Sequence, residues 1–196
     1  MFNQKMVEMG TRRSVIREIF DFGVQRAAQV GADHVYDFSI GNPNVPAPKE
    51  VQEAICEIVQ TMDPVDYHSY TPSSGSLKTR AIIADNLNRR FGTSYDGDDV
   101  FLTCGASASL NITLKSLIAQ PGDEVVTVAP YFPEYRFFIE GHGGVFVPVE
   151  PDMATFQIDF KKLEQAITEK TKAFINNTPN PPSGVVHYGI QLSRLS

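Results

Sequence analysis

Gly105 opens a run of small residues, Ala106, Ser107, Ala108 and Ser109, and this bend carries the most specific chemistry in the chain. Residues 100–104 (VFLTC) precede it as a short apolar run that suits a buried strand. Leu110, Leu114, Leu117 and Ile118 follow at helical spacing. A strand, a bend of small residues and a fresh helix together make an anion site. Glycine lets the backbone come close, the first helical N–H groups have no partner, and the helix dipole favours negative charge there. The same residues also suit an ordinary βα turn packed against a neighbour, so this stretch alone leaves both readings open.

Three other stretches place chemistry-bearing residues in stiff loops. Residues 66–76 (DYHSYTPSSGS) form a polar loop from which Tyr67 and Tyr70 project, each a half-packed ring or a hydroxyl donor to phosphate. Tyr131 and Phe132 are held between Pro130 and Pro133 just after an apolar strand, where a ring stacks on a flat ligand or caps the core. Asn176, Asn177 and Asn180 load the turn 176–184 with amides. A fourth loop, Gly41-Asn42-Pro43-Asn44-Val45-Pro46-Ala47-Pro48, is either a linker or a shaped loop whose backbone at Gly41 faces a ligand.

The elements that position these loops alternate. Helices are predicted over 14–30 with Ser14 as cap, over 48–61, over 77–91 with Ser76 or Ser74 as cap and Gly92 as stop, from the small-residue bend after Gly105 through Ile118, over 134–140, and from an Asp159 cap through Ile167. Strands are predicted over 35–40, 100–104, 124–129, 145–149 and 172–177. This alternation implies an α/β fold with a parallel sheet and helices packed on it. Consecutive parallel strands would put the Gly105 and Phe132 loops at one sheet edge, the edge where α/β folds bind ligands.

Composition narrows the function. The 196 residues are 42% hydrophobic and 20% charged, with ample core material for a soluble globular chain. A net charge of -6 argues against general binding to nucleic acid or an anionic membrane. No apolar run is long enough to span a bilayer, and the first residues lack a signal-peptide core, so the cytoplasm is expected. Cys56 and Cys104 read as buried thiols of a reducing compartment, and the four histidines show no metal-ligand spacing. The basic cluster Arg12, Arg13 and Arg17 reads as a solvated face or partner contact.

Taken in order, Gly41-Asn42-Pro43, Tyr70-Thr71-Pro72-Ser73-Ser74-Gly75, Thr103-Cys104-Gly105-Ala106-Ser107 with Pro130-Tyr131-Phe132, and Asn177-Thr178-Pro179-Asn180-Pro181-Pro182-Ser183-Gly184 resemble the N-terminal half of a class I/II aminotransferase over about residues 12–186. Such enzymes are fold-type I and depend on pyridoxal 5'-phosphate (PLP). The resemblance implies an incomplete fold-type I large domain over 46–196, a mostly parallel sheet with helices on both faces, preceded by an N-terminal arm and part of a small domain over 1–45. It implies that Gly105, Ala106 and Ser107 cup the cofactor phosphate and that Phe132 stacks on its ring. It further implies that Tyr70 reaches the phosphate of the partner subunit in a homodimer and that Gly41 lies near the substrate carboxylate. The substrates implied are an amino acid and a 2-oxo acid, with no nucleic acid, membrane or metal involved.

Two departures qualify these roles. Where the family has an asparagine that donates to the cofactor's phenolic oxygen, this chain has Pro181, which lacks a donor; Asn180 or Asn177 would have to substitute. None of the eight lysines, Lys5, Lys49, Lys78, Lys115, Lys161, Lys162, Lys170 and Lys172, stands in a Ser-x-x-Lys turn like that of the family's Schiff-base lysine. No catalytic residue is therefore assigned, and the chain is expected to be inactive alone, its tail 187–196 truncated or frameshifted. In the family's sheet the strand before the cup is separated from the other three by strands later in sequence, so residues 100–104 are expected to lack a neighbour and the chain alone to fold poorly or rearrange. A non-catalytic remnant that binds PLP or a partner subunit is the alternative. A dinucleotide-binding module is disfavoured, because a single glycine replaces Gly-x-Gly-x-x-Gly and the following strand ends in Ala129-Pro130 rather than an acid.

Overall fold

The computed structural model describes residues 2–11, 15–39, 41, 45–180, 183–187 and 189. In chain order its helices are α1 (Gln4–Thr11), α2 (Val15–Val30), α3 (Lys49–Thr61), α4 (Pro64–His68), α5 (Leu77–Phe91), α6 (Ala106–Leu117), α7 (Glu134–Gly141) and α8 (Phe160–Ala166). The strands are β1 (Glu124–Val128), β2 (Val145–Val149) and β3 (Thr171–Ile175). Contacts divide the chain into two compact units, Met1–Gly41 with Leu110–Ser196, and Asn42–Ser109.

The first unit is an α/β layer built on a three-stranded parallel sheet of order β2-β1-β3. Alternation along β1 sends its side chains to two cores, because successive strand residues point to opposite faces. Val125 packs with Leu114 from α6, with Ile118 just beyond its end, and with Tyr135 and Ile139 from α7. Val126 and Val128 pack on the other face with Val149, Ile158 and Leu163, the last on α8. Val125 and Val126 are fully buried, as a central parallel strand covered on both sides requires. Asp159 caps α8, its side chain accepting the Lys162 N–H at 3.1 Å.

The amino end of this sheet is closed by a polar cluster. Asp123, only 1% exposed, accepts the N–H groups of Ala119 at 2.9 Å and Gln120 at 3.1 Å, and its other oxygen lies 3.7 Å from the Lys172 ammonium. Burial pushes this carboxyl up, but the two backbone N–H groups and Lys172 outweigh it and leave it below the ordinary 3.8. Beside it the Glu124 carboxylate accepts the hydroxyls of Thr168 at 2.6 Å and Thr171 at 3.3 Å.

The second unit is built around α5. Ser76 caps it through the Thr79 N–H, and Gly92 ends it in the left-handed conformation. Ala84 and Arg80 are its buried residues. A 3-10 turn, Gly97–Asp99, packs on it, held by a reciprocal capping box of Asp96 and Asp99.

Several sequence expectations change. Residues 100–104 form no strand: the Leu102 N–H donates to the Ser74 carbonyl at 3.0 Å instead of to a strand neighbour, which agrees with the expected lack of a sheet partner. Residues 35–39 are likewise irregular, and position 40 lies outside the described residues. Within the loop 66–76, the first residues belong to α4, because Asp63 caps Val65 N–H and Pro64 occupies the first turn. The helix α1, eight residues long, is an addition to the elements expected from sequence. Cys56 and Cys104 are both exposed rather than buried: α3 has no buried residue, and Cys104 lies in a bend. Ser14, Arg12, Arg13, Asn42, Pro43, Pro181, Pro182 and the tail 190–196 lie outside the described residues.

Candidate functional site

In the second unit the bend at Gly105 is open. Gly105 has φ +97, and a Cβ added there would meet nothing within 4 Å, so the glycine is required by backbone shape and not by crowding. The Ala108 and Ser109 N–H groups turn back to the Gly105 carbonyl, at 3.1 and 3.2 Å. The N–H groups of Ala106 and Ser107, which open α6, have no carbonyl inside the helix to bond. Gly105, Ala106 and Ser107 are all exposed. Thr103 braces the bend from behind, its hydroxyl 3.0 Å from the Gly105 carbonyl and 2.6 Å from the Ser109 hydroxyl. Among the described residues these donors have no acceptor, and free N–H groups at the positive end of a helix suit an oxyanion. Tyr70, in the same unit, is 104% exposed and packs against nothing.

In the first unit Phe132 and Asn177 follow the neighbouring strands β1 and β3 at the carboxyl edge of the sheet. Residue type alone left Tyr131 and Phe132 indistinguishable, the resemblance pointed to Phe132, and the structure gives the two rings different surroundings. Tyr131 packs on the core, edge-on to Phe146 at 4.9 Å. Phe132 is held edge-on by Tyr135 at 5.6 Å and stays 40% exposed, so it is the ring free to stack on a ligand. The two asparagines separate too. Asn177 is exposed; Asn180 is buried, its backbone locked in a bridge with Val185 and its side-chain oxygen without a hydrogen-bond partner among the described residues. Gly41 is exposed, with open space where a Cβ would stand. Asp37 lies nearby in sequence, its carboxyl held below the ordinary 3.8 by the Ser39 hydroxyl and N–H.

Two residues near these loops were not singled out from sequence. His187 is 2% exposed; its backbone N–H donates to the Thr178 hydroxyl at 3.0 Å, its Nδ1 lies 2.8 Å from the Asn176 side-chain oxygen, and its Nε2 is buried without a partner among the described residues. Burial holds this imidazole below the ordinary 6.5, so it is neutral, with Nδ1–H donating to Asn176. Arg80, on α5, is the other. Among the described residues no group of three or more His, Cys, Asp or Glu is placed to hold a metal ion.

Each unit thus has a candidate feature of its own: an open helix start in the second, an exposed ring and an exposed amide at the sheet edge in the first. The family defined as aminotransferase class I and II matches residues 33–195, and the chain belongs to this family. Among curated proteins it is 33% identical over 174 residues to a "Probable aspartate aminotransferase" of Methanocaldococcus jannaschii, covering 89% of this chain and 43% of that one. It is 31% identical over 171 residues to the aspartate aminotransferase of Streptomyces avermitilis, covering 87% of this chain and 41% of that one. The chain thus spans less than half the length of these two relatives. Among solved structures, an amino transferase from Eubacterium rectale superposes on all of it with a TM-score of 0.94 and 45% identity, over 49% of that chain. A Thermus thermophilus aspartate aminotransferase superposes with a TM-score of 0.84 at 26% identity, again over 49% of its length.

Proposed function

We propose that this chain carries the cofactor-binding part of a PLP-dependent aminotransferase, which moves an amino group between an amino acid and a 2-oxo acid. The observation that carries the reading is the bare start of α6, where Gly105, Ala106 and Ser107 offer unpaired donors in a chain that belongs to the aminotransferase family. When bound, PLP supplies an electron sink for charge developing at the α-carbon of the amino acid. The residues present fit such a group in each unit by itself. In the second unit, the Ala106 and Ser107 N–H groups and the Ser107 hydroxyl bind phosphate. In the first unit, Phe132 offers an open ring face. Asn177, exposed where Asn180 is buried, is the better candidate to donate to the phenolic oxygen in place of Pro181. The full exposure of Tyr70 supports a role outside its own chain, as a hydroxyl donor to the partner's phosphate in a homodimer. Gly41 supplies close backbone approach for a substrate carboxylate.

The remaining assignments follow the same reading: residues 1–45 as arm and part of a small domain, 46–196 as large-domain sequence, a cytoplasmic location, and no nucleic-acid partner. No helix among the described residues is long and apolar enough to cross a membrane. The absence of any Ser-x-x-Lys turn favours binding without turnover by these 196 residues alone.

Pyridoxamine 5'-phosphate tests the reading, because it lacks the aldehyde that would react with surface lysines. Titration against its native fluorescence is expected to show binding that exceeds that of unphosphorylated pyridoxamine and weakens in Ser107→Ala. Equal binding of the two forms refutes the phosphate cup. Measurable transamination by the purified chain refutes the assignment of inactivity.

A further inference from the structure

Arg80 is a buried cation, 8% exposed, on a helix that otherwise turns charged residues to solvent. Its Nε donates to the Gly75 carbonyl at 3.3 Å, and its Nη1 donates to the Gly97 carbonyl and to the Asp98 carboxylate, the latter at 3.2 Å. The Asp98 side chain is 89% exposed, so the ion pair is weak and the two carbonyls are the contacts that demand a buried guanidinium. Gly75 has φ +92, and a Cβ added there would lie 2.6 to 2.8 Å from the Leu102 side chain. Ser74 accepts the Leu102 N–H at 3.0 Å. Residues 74–75 and Leu102 therefore meet with no spare volume, and Arg80 holds the turn in place from behind. Leu102 leads straight into Thr103, whose hydroxyl braces the Gly105 bend.

We propose that Arg80 is a positioning residue for phosphate binding: it seats the Gly75 turn against Leu102 and, through Thr103, fixes the bend at Gly105–Ser107. This rests on the cofactor reading above. One seam then ties the loop bearing Tyr70 to the bend bearing Ser107, so occupancy of the cup stiffens a turn that never touches the ligand. The planar guanidinium fork spans two carbonyls from separate segments, which an ammonium cannot do with the same fixity.

The test compares pyridoxamine 5'-phosphate with pyridoxamine on the chain and on Arg80→Met and Arg80→Lys. Arg80→Met is expected to lower the preference for the phosphorylated probe by about tenfold, with Arg80→Lys between it and the parent chain. A merely structural role would weaken both probes alike. Amide exchange on the unaltered chain gives a second readout: saturating pyridoxamine 5'-phosphate is expected to slow the Leu102 and Gly75 N–H groups. No preference for phosphate in the unaltered chain overturns the cofactor reading and this role together. Preference retained in a folded Arg80→Met, or Leu102 and Gly75 amides indifferent to the probe, overturns the role of Arg80 alone. If Arg80→Met does not fold, the exchange measurement decides.

Discussion

Replacing Gly75 by alanine separates two kinds of backbone constraint. At φ +92 an L-residue is strained by about 1–2 kcal/mol. The new Cβ also lies 2.6 Å from Leu102 Cδ1 and 2.8 Å from its Cβ and Cγ, and these last two are not the yielding tip of a side chain. Overpacking of this kind costs about 1–3 kcal/mol. Gly75→Ala is therefore expected to destabilise the second unit by roughly 2–5 kcal/mol. Gly105 is the internal control: φ +97 with nothing within 4 Å, so Gly105→Ala carries the conformational cost alone, about 1–2 kcal/mol. Urea unfolding followed by tyrosine fluorescence suits a chain without tryptophan, and Tyr67, Tyr70 and Tyr95 all lie in this unit. Adding Leu102→Ala removes Cγ and Cδ1 but keeps the Cβ contact, so it should relieve part of the overpacking and give a favourable coupling of about 1 kcal/mol or more in the double-mutant cycle. The reasoning is refuted if Gly75→Ala and Gly105→Ala cost the same, if Leu102→Ala fails to couple with Gly75→Ala, or if no cooperative transition is present to shift.

Three further outcomes are expected. Because the folded carboxyl of Asp123 titrates below its unfolded value, its stabilisation is present above about pH 4 and lost as pH falls through the folded value; Asp123→Asn should lower stability at neutral pH and flatten the acid limb, and parallel acid limbs in the two proteins would contradict this. His187 is held neutral by burial, so its contribution is complete above 6.5 and declines as pH falls below that; an NMR titration should place its midpoint under 6.5 with the Asn176 amide signals following, and a midpoint at or above 6.5 counts against the buried tautomer. Phe132→Ala should weaken pyridoxamine 5'-phosphate binding by roughly two- to tenfold, from the 0.5–1.5 kcal/mol of an aromatic contact, while Phe137→Ala, also 40% exposed, should not; equal effects would remove Phe132 from the site.

The sequence displayed whatever is decided locally. Ser76, Gly92 and Asp159 announced helix ends because capping is a contact between residues a few positions apart. The three sheet strands were legible as apolar, β-branched runs. Residues 100–104 carried the same signal yet form no strand, since pairing depends on a distant neighbour and Ser74 takes the Leu102 N–H. The apolar stripe of α3 was equally clear, but Val51, Ile55, Ile58 and Val59 remain exposed, because an amphipathic pattern specifies a face and not what covers it. At the candidate site, the Gly105 bend was legible from residue type and position, whereas Phe132 was singled out from Tyr131 only by the family resemblance. Arg80 was not legible, because an arginine within a helix looks like a surface residue until its carbonyl partners are known. His187 gave no signal at all: its burial arises from Asn176 and Thr178 across a turn.

The three-stranded sheet has two rims of opposite character. At one, Asp123, Glu124, Thr168, Thr171 and Lys172 are bonded to one another and to backbone. At the other, Phe132 and Asn177 stand open. Substitutions are therefore expected to be unequally tolerated: at the open rim they should spare the strand register, while at the bonded rim they should disturb it.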